Sequence, residues 1–138
     1  MRVETQLSVF LENKAGVLAN VLADLARHGI AIRALTISSL VDHAVVHLVV
    51  SEPQKALHLL GERGVLVTTT DVICVEVPDQ AGGLASVASK LARAGVNIEY
   101  AYGSSPAHNS HAVVYFHPSD LKKARGALAP VARRRPKR

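Results

Sequence analysis

The chain contains one cysteine, Cys74, no tryptophan and one methionine in 138 residues, and aromatic residues make up only 4% of it. A single cysteine excludes an internal disulfide framework; in its apolar surroundings Cys74 reads as a small core residue. No apolar run reaches the roughly 18 residues of a membrane-spanning helix, so no membrane partner is expected. Met1–Gln6 lacks the apolar core of a secretory signal, and the expected compartment is the cytoplasm. There is no P-loop or extended glycine-rich phosphate loop. No Ser, His and Asp stand in a recognisable catalytic frame. The seven histidines, His43 and His47 among them, lack the compact spacing that three or four converging metal ligands require. Catalysis is therefore not expected, and neither a cofactor nor a metal is implied.

The charge is uneven. The net charge is +5, and Arg133, Arg134, Arg135, Lys137 and Arg138 supply five positive charges, which leaves 11 basic against 11 acidic residues elsewhere. Residues 129–138 thus read as a basic, disordered tail, because runs of like charge repel one another. Nucleic acid is the competing use of such a tail, but no aromatic residues interleave with its charges to stack on bases. Hydrophobic content of 49% and charged content of 20% are those of an ordinary globular chain.

What is present is a repeat. Asn13 to Ile32 reads N-K-A-G-V-L-A-N-V-L-A-D-L-A-R-H-G-I-A-I, and 66 positions later Asp79 to Ile98 reads D-Q-A-G-G-L-A-S-V-A-S-K-L-A-R-A-G-V-N-I. Ten pairs are identical without a gap, among them Ala15/Ala81, Gly16/Gly82, Leu18/Leu84, Leu25/Leu91, Gly29/Gly95 and Ile32/Ile98. Two copies are too few for a solenoid and suggest two small domains. The boundaries fall at 1–71, 72–128 and the tail.

Within the first copy, Leu7, Val9 and Leu11 alternate with polar residues as in a half-buried strand. Asn13 is a candidate helix N-cap. Val17, Leu18, Val21, Leu22 and Leu25 follow helical spacing up to Gly29, a helix-stopping glycine. Ile30–Ser39 alternates again, with Ile30, Ile32, Ala34 or Leu35, and Ile37 as candidates for the buried side. Val41–His43 is a turn and Ala44–Val50 a buried strand. Pro53 opens a second helix, and Val65–Thr70 reads as a fourth strand. The order β-α-β-β-α-β is that of a ferredoxin-like fold. The second copy repeats it with a strand at Val72–Val77, a helix at Gly82–Ala94, strands at Asn97–Gly103 and Ala112–Phe116, and a helix after Asp120. No final strand is evident, so one sheet edge needs cover, from Met1–Gln6 or from another chain. The fold class expected is α+β, two ferredoxin-like repeats side by side, each an antiparallel sheet with helices on one face.

The motif E-N-K-A-G-V-L, followed by helix, glycine and I-A-I, and its echo D-Q-A-G-G-L to G-V-N-I, resembles the ACT domain. With I-E-Y-A-Y at 98–102 the layout is similar to freestanding tandem-ACT proteins, over about residues 3–128. The resemblance implies domains paired through their second strands, with an amino acid held between the first loop of one copy and the start of strand two of the other. A helix N-terminus suits a carboxylate, a loop glycine permits close approach, and a side-chain amide serves both carboxylate and ammonium.

Carried over by position, the implied site is asymmetric. Asn13 stands three residues before the first loop glycine and Asp79 before the second. Asn97 begins strand two of the second copy, where the first has Ala31. One site would combine Asn13, Lys14, Ala15, Gly16, Val17 and Leu18 with Asn97, Ile98, Glu99 and Tyr100. A weaker or differently selective one would combine Asp79, Gln80, Ala81, Gly82, Gly83 and Leu84 with Ala31–Ala34; Asp79 there would bind a ligand ammonium. Each residue has a plainer use: Asn13 and Asp79 as caps, Gly16 and Gly82 as packing sites, Asn97 in a turn, Tyr100 and Tyr102 in packing. Ala15 and Ala81 replace a proline frequent in the family, and Leu11 replaces a polar residue.

The function implied is a non-catalytic regulatory protein that senses a free amino acid at the interface between repeats, as a homodimer and with a partner enzyme of amino-acid metabolism. The alternative is a scaffolding subunit, similar to the small subunit of acetolactate synthase, with no ligand of its own.

Overall fold

A computed structural model describes residues 1–78, 81–104 and 111–129. Its elements run β1 (Arg2–Glu12), α1 (Val17–Arg27), β2 (Ile32–Ser39), β3 (His43–Val50), α2 (Pro53–Glu62), β4 (Leu66–Pro78), α3 (Gly83–Arg93), β5 (Ile98–Ser104), β6 (His111–Pro118) and α4 (Leu121–Leu128). The chain divides into two compact units, one of Glu4–Val72 and one of Met1–Val3 with Ile73–Arg138. Both are ferredoxin-like α+β units.

In the first unit the strand order is β2-β3-β1-β4. β1 and β3 are antiparallel, with Leu7 opposite Leu48 and Val9 opposite Val46. Period-two alternation puts Leu7, Val9 and Leu11 on the face that β3 builds with Val46, Leu48 and Val50. Val21 and Leu25 of α1 and Ala56, Leu59 and Leu60 of α2 close over that face. Both helices therefore lie on one side of the sheet, because all the apolar stripes point there. α1 ends at Gly29, whose φ of 71° lets the Gly29 N–H donate to Ala26 O at 3.0 Å and the Ile30 N–H to Leu25 O at 3.0 Å, a C-terminal cap that glycine adopts without strain.

In the second unit the order is β4-β6-β5. Ile73, Val75 and Val77 of β4, Val114 and Phe116 of β6, and Val87 and Leu91 of α3 form its core with Ala124 of α4. Gly95 and Val96 repeat the cap, donating to Ala92 O and Leu91 O at 3.0 and 2.9 Å. α4 begins at Asp120, whose carboxylate accepts from the Lys123 N–H at 3.0 Å, so this helix has a side-chain cap. Met1–Val3 pack with this unit rather than with the rest of β1.

Three expectations change. The strands read at Val65–Thr70 and Val72–Val77 are one 13-residue strand, β4; no glycine or proline interrupts 65–77, and Asp71 is exposed and so does not break the ladder. Ile30 belongs to the helix cap and core at 3% exposure, whereas Ile32, Leu35 and Ile37 remain 37–41% exposed because β2 pairs, among the described residues, with β3 alone. Asn13 is not the N-cap of α1. Gly16 is, with φ 88° and no side-chain cap. The tail beyond Ala129, Asp79, Gln80 and residues 105–110, between the strands expected at Asn97–Gly103 and Ala112–Phe116, lie outside the described residues.

Candidate functional site

The first loop, between β1 and α1, is tied to the turn between β2 and β3. The Asn13 N–H donates to Asp42 O at 2.9 Å, and its side-chain Nδ2 donates to Leu40 O at 3.1 Å. Since a carbonyl can only accept, this contact fixes which end of the amide is nitrogen and turns Oδ1 away from Leu40. The chain then closes through the Lys14 N–H on Glu12 O at 2.9 Å and the Val17 N–H on Lys14 O at 3.3 Å. Gly16 makes the left-handed bend that starts α1. The second loop bends in the same way at Gly82, φ 89°. Its neighbour Gly83 is required for another reason: a Cβ there would lie 2.5 Å from the Pro78 carbonyl oxygen. Neither α1 nor α3 has a side-chain cap at its N-terminus, and a helix start without such a cap suits an anion.

The starts of the second strands are also built alike. Ser51 Oγ accepts from the Ala31 N–H at 2.9 Å, and Ser119 Oγ accepts from the Asn97 N–H at 2.9 Å. The return bonds run from Ser51 N–H to Ala31 O and from Ser119 N–H to Asn97 O, at 2.9 and 2.8 Å. Serine thus holds both backbones, and the Asn97 side chain is not needed for the turn. Asn97 is exposed, and among the described residues its amide has no partner. A bulge between Ile98 and Tyr100 leaves Glu99 exposed. Ile98 packs on the core. Tyr100 stands opposite His117, with rings stacked at 4.8 Å, and Tyr102 stacks on Tyr115 at 5.4 Å. Register places these rings on the sheet face away from Val114 and Phe116.

The residues of the second loop divide between two hollows of the second unit. Ala81, Gly82 and Gly83 border one of about 510 Å³ with Val77, Ser86 and Lys90. Leu84 and Ile98 border another of about 460 Å³, a groove between α3 and β5. Its other walls include Ala88, Ala101, Tyr102, Val114 and Phe116. This groove was missed in the sequence, although a signal existed. At an offset of 66, Ala88, Ala101 and Gly103 correspond to Leu22, Leu35 and Ile37 of the first copy. Pairing agrees: Leu35 faces Leu48 and Ile37 faces Val46, as Ala101 faces Phe116 and Gly103 faces Val114.

A charged cluster in the first unit was also missed. Asp24, 7% exposed, accepts from Arg63 Nε at 2.8 Å and from Arg27 at 2.8 Å. These hydrogen bonds, Arg63's first, hold its carboxyl well below the usual carboxylate range, and Asp24 in turn raises Arg63. The position is Lys90 in the second copy, so the cluster belongs to one repeat only.

The doubled β-loop-α-glycine frame matches the ACT domain pair family model over residues 1–129. The chain belongs to the ACT domain pair family. A crystal structure of a protein from Bacteroides thetaiotaomicron is 38% identical, with a TM-score of 0.87 over 91% of this chain and 86% of that one. The ligand-free regulatory subunit of aspartate kinase from Thermus thermophilus is 19% identical, with a TM-score of 0.67 over 93% of each chain. That of Thermus flavus is 18% identical, with a TM-score of 0.59 over 91% of this chain and 92% of that one. The two Thermus structures share the fold of this ACT domain pair. No curated protein matches the chain.

Proposed function

We propose that this ACT domain pair is a non-catalytic regulatory protein that senses a free amino acid between repeats. The observation that carries the reading is Asn97: an exposed amide without a partner among the described residues, at a strand start that Ser119 already holds. Asn13 supplies the second amide, with Oδ1 turned from Leu40. In this reading Lys14, Ala15, Gly16, Val17 and Leu18 line the ligand's carboxylate side, and Ile98, Glu99 and Tyr100 continue the strand beside it. The second combination, Asp79 to Leu84 with the start of β2, is the weaker site. Domain boundaries at 71/72 and 128/129 and a cytoplasmic location complete the proposal.

Strand-edge pairing would assemble such sites in a homodimer. β2 and β5 are each paired on one side only among the described residues, and open edges invite another strand. Binding would bias the dimer, and with it a partner enzyme of amino-acid metabolism, through differential affinity for two states. Titration calorimetry of the chain with amino acids tests this: saturable binding that Asn97→Ala abolishes is expected, and full affinity in that variant contradicts the site.

A second reading is a scaffolding subunit without a ligand. Leu35, Ile37, Leu40 and Val41, which are 38–98% exposed along β2 and its turn, favour a protein partner. Assembly with an enzyme that no amino acid alters would select it.

A further inference from the structure

We infer that the sensed amino acid has a bulky apolar side chain, aliphatic or aromatic, and that the groove between α3 and β5 receives it. The inference rests on the amino-acid-sensing reading above and names the ligand class for the second repeat.

The groove exists because small residues replace large ones. Repeat one places Leu22 on its first helix and Leu35 and Ile37 on its second strand; repeat two has Ala88, Ala101 and Gly103 there. Two of the missing side chains would have occupied the gap between helix and strand. At Gly103 the backbone itself has changed: a Cβ would lie 2.6 Å from Val113 O, so β5 runs too close to β6 for any side chain. The remaining space, about 460 Å³, falls within the roughly 300–1,000 Å³ of small-molecule pockets.

The walls decide the chemistry. Leu84, Ala88, Ala101, Val114 and Phe116 are apolar, Tyr102 is the one lining residue among those described that carries a polar side-chain atom, and no charged side chain is among them. A charged side chain entering it would lose water without gaining an opposite charge. An apolar one would cover Leu84, which is 51% exposed on the first turn of α3. Leu84, on the first turn of α3, and Ile98, at the start of β5, both border the groove, and each is a residue of one of the two proposed sites.

The test is titration calorimetry on the full chain with leucine, isoleucine and phenylalanine against serine, aspartate and lysine. It is repeated on Ala101→Leu, which restores the side chain of Leu35, and on Ala88→Leu, which restores that of Leu22 and carries the test should Ala101→Leu fold poorly. Bulky apolar amino acids are expected to bind at least about 10-fold more tightly than polar ones, and each filling variant to weaken them by about 10-fold or more without lowering the melting temperature. Equal affinity for polar amino acids, or unchanged affinity in the filling variants, overturns the groove while leaving amino-acid sensing in place. Binding of none of the six by folded protein overturns the groove, and the same result with all twenty amino acids overturns sensing as well.

Discussion

The Asn13 amide reaches across 27 residues of chain to donate to Leu40 O at 3.1 Å, binding the first loop to the turn that follows β2. The contact gives the side chain a structural task separate from any ligand. Asn13→Ala is expected to cost about 0.5–1.5 kcal/mol, the net worth of one such hydrogen bond, in chemical denaturation of the ligand-free protein. Asn13→Asp loses the donor and sets a carboxylate against the Leu40 carbonyl, so it is expected to cost at least as much. Wild-type stability in both variants would show that the loop is held without the amide.

Gly16 and Gly82 bend at φ 88° and 89°, where a Cβ is disfavoured by about 1–2 kcal/mol. Space is not the obstacle, since nothing lies within 4 Å of an added Cβ at either position. Gly16→Ala and Gly82→Ala are therefore expected to lower stability by similar amounts. Gly83→Ala faces the Pro78 carbonyl at 2.5 Å and is expected to shift the start of α3. Comparing the three melting curves separates backbone strain from steric clash.

Asp24, paired with Arg63 and Arg27, makes stability depend on acid. Its folded-state pKa lies below the ordinary value of 3.8, so the folded form binds the proton less readily than the unfolded one. The stabilisation is full above about pH 4 and is lost as pH falls through the folded-state value. Asp24→Asn is expected to melt below the wild type between pH 5 and 8, with the gap narrowing below about pH 4. A gap independent of pH would assign the effect to packing instead.

Much of the fold was legible because its signals are local. The stripe Val17, Leu18, Val21, Leu22 and Leu25 read at helical spacing, the second copy repeats it at Leu84, Val87 and Leu91, and Gly29 and Gly95 marked the helix ends that the structure places there. Misreadings arose where the deciding contact is distant in sequence. Asn13 looked like a cap because the Leu40 carbonyl is not visible from its neighbours. Asp71 looked like a break because strand length depends on the ladder beside it. Asp24 and Arg63 are 39 residues apart, and no local pattern joins them. The groove differs: Leu22/Ala88 stood in the repeat alignment and Leu35/Ala101 lies three residues past its end, but only pairing with β6 reveals that these positions share one face.

Ala31 and Asn97 occupy equivalent strand starts, held by Ser51 and Ser119. Asn97→Ala removes no hydrogen bond among the described residues, so its stability without ligand is expected to stay within about 0.5 kcal/mol of wild type. A larger loss would give Asn97 a structural role and weaken its assignment to ligand.

The most direct test of amino-acid sensing is a thermal-shift screen of the wild type and Asn97→Ala with each of the twenty amino acids. A ligand of the folded state alone adds about 2.7 kcal/mol at a hundredfold excess over Kd. One class of amino acid is expected to raise the wild-type midpoint saturably and to leave Asn97→Ala unmoved. No shift with any amino acid at millimolar concentration, in a sample that melts cooperatively, would contradict the sensor.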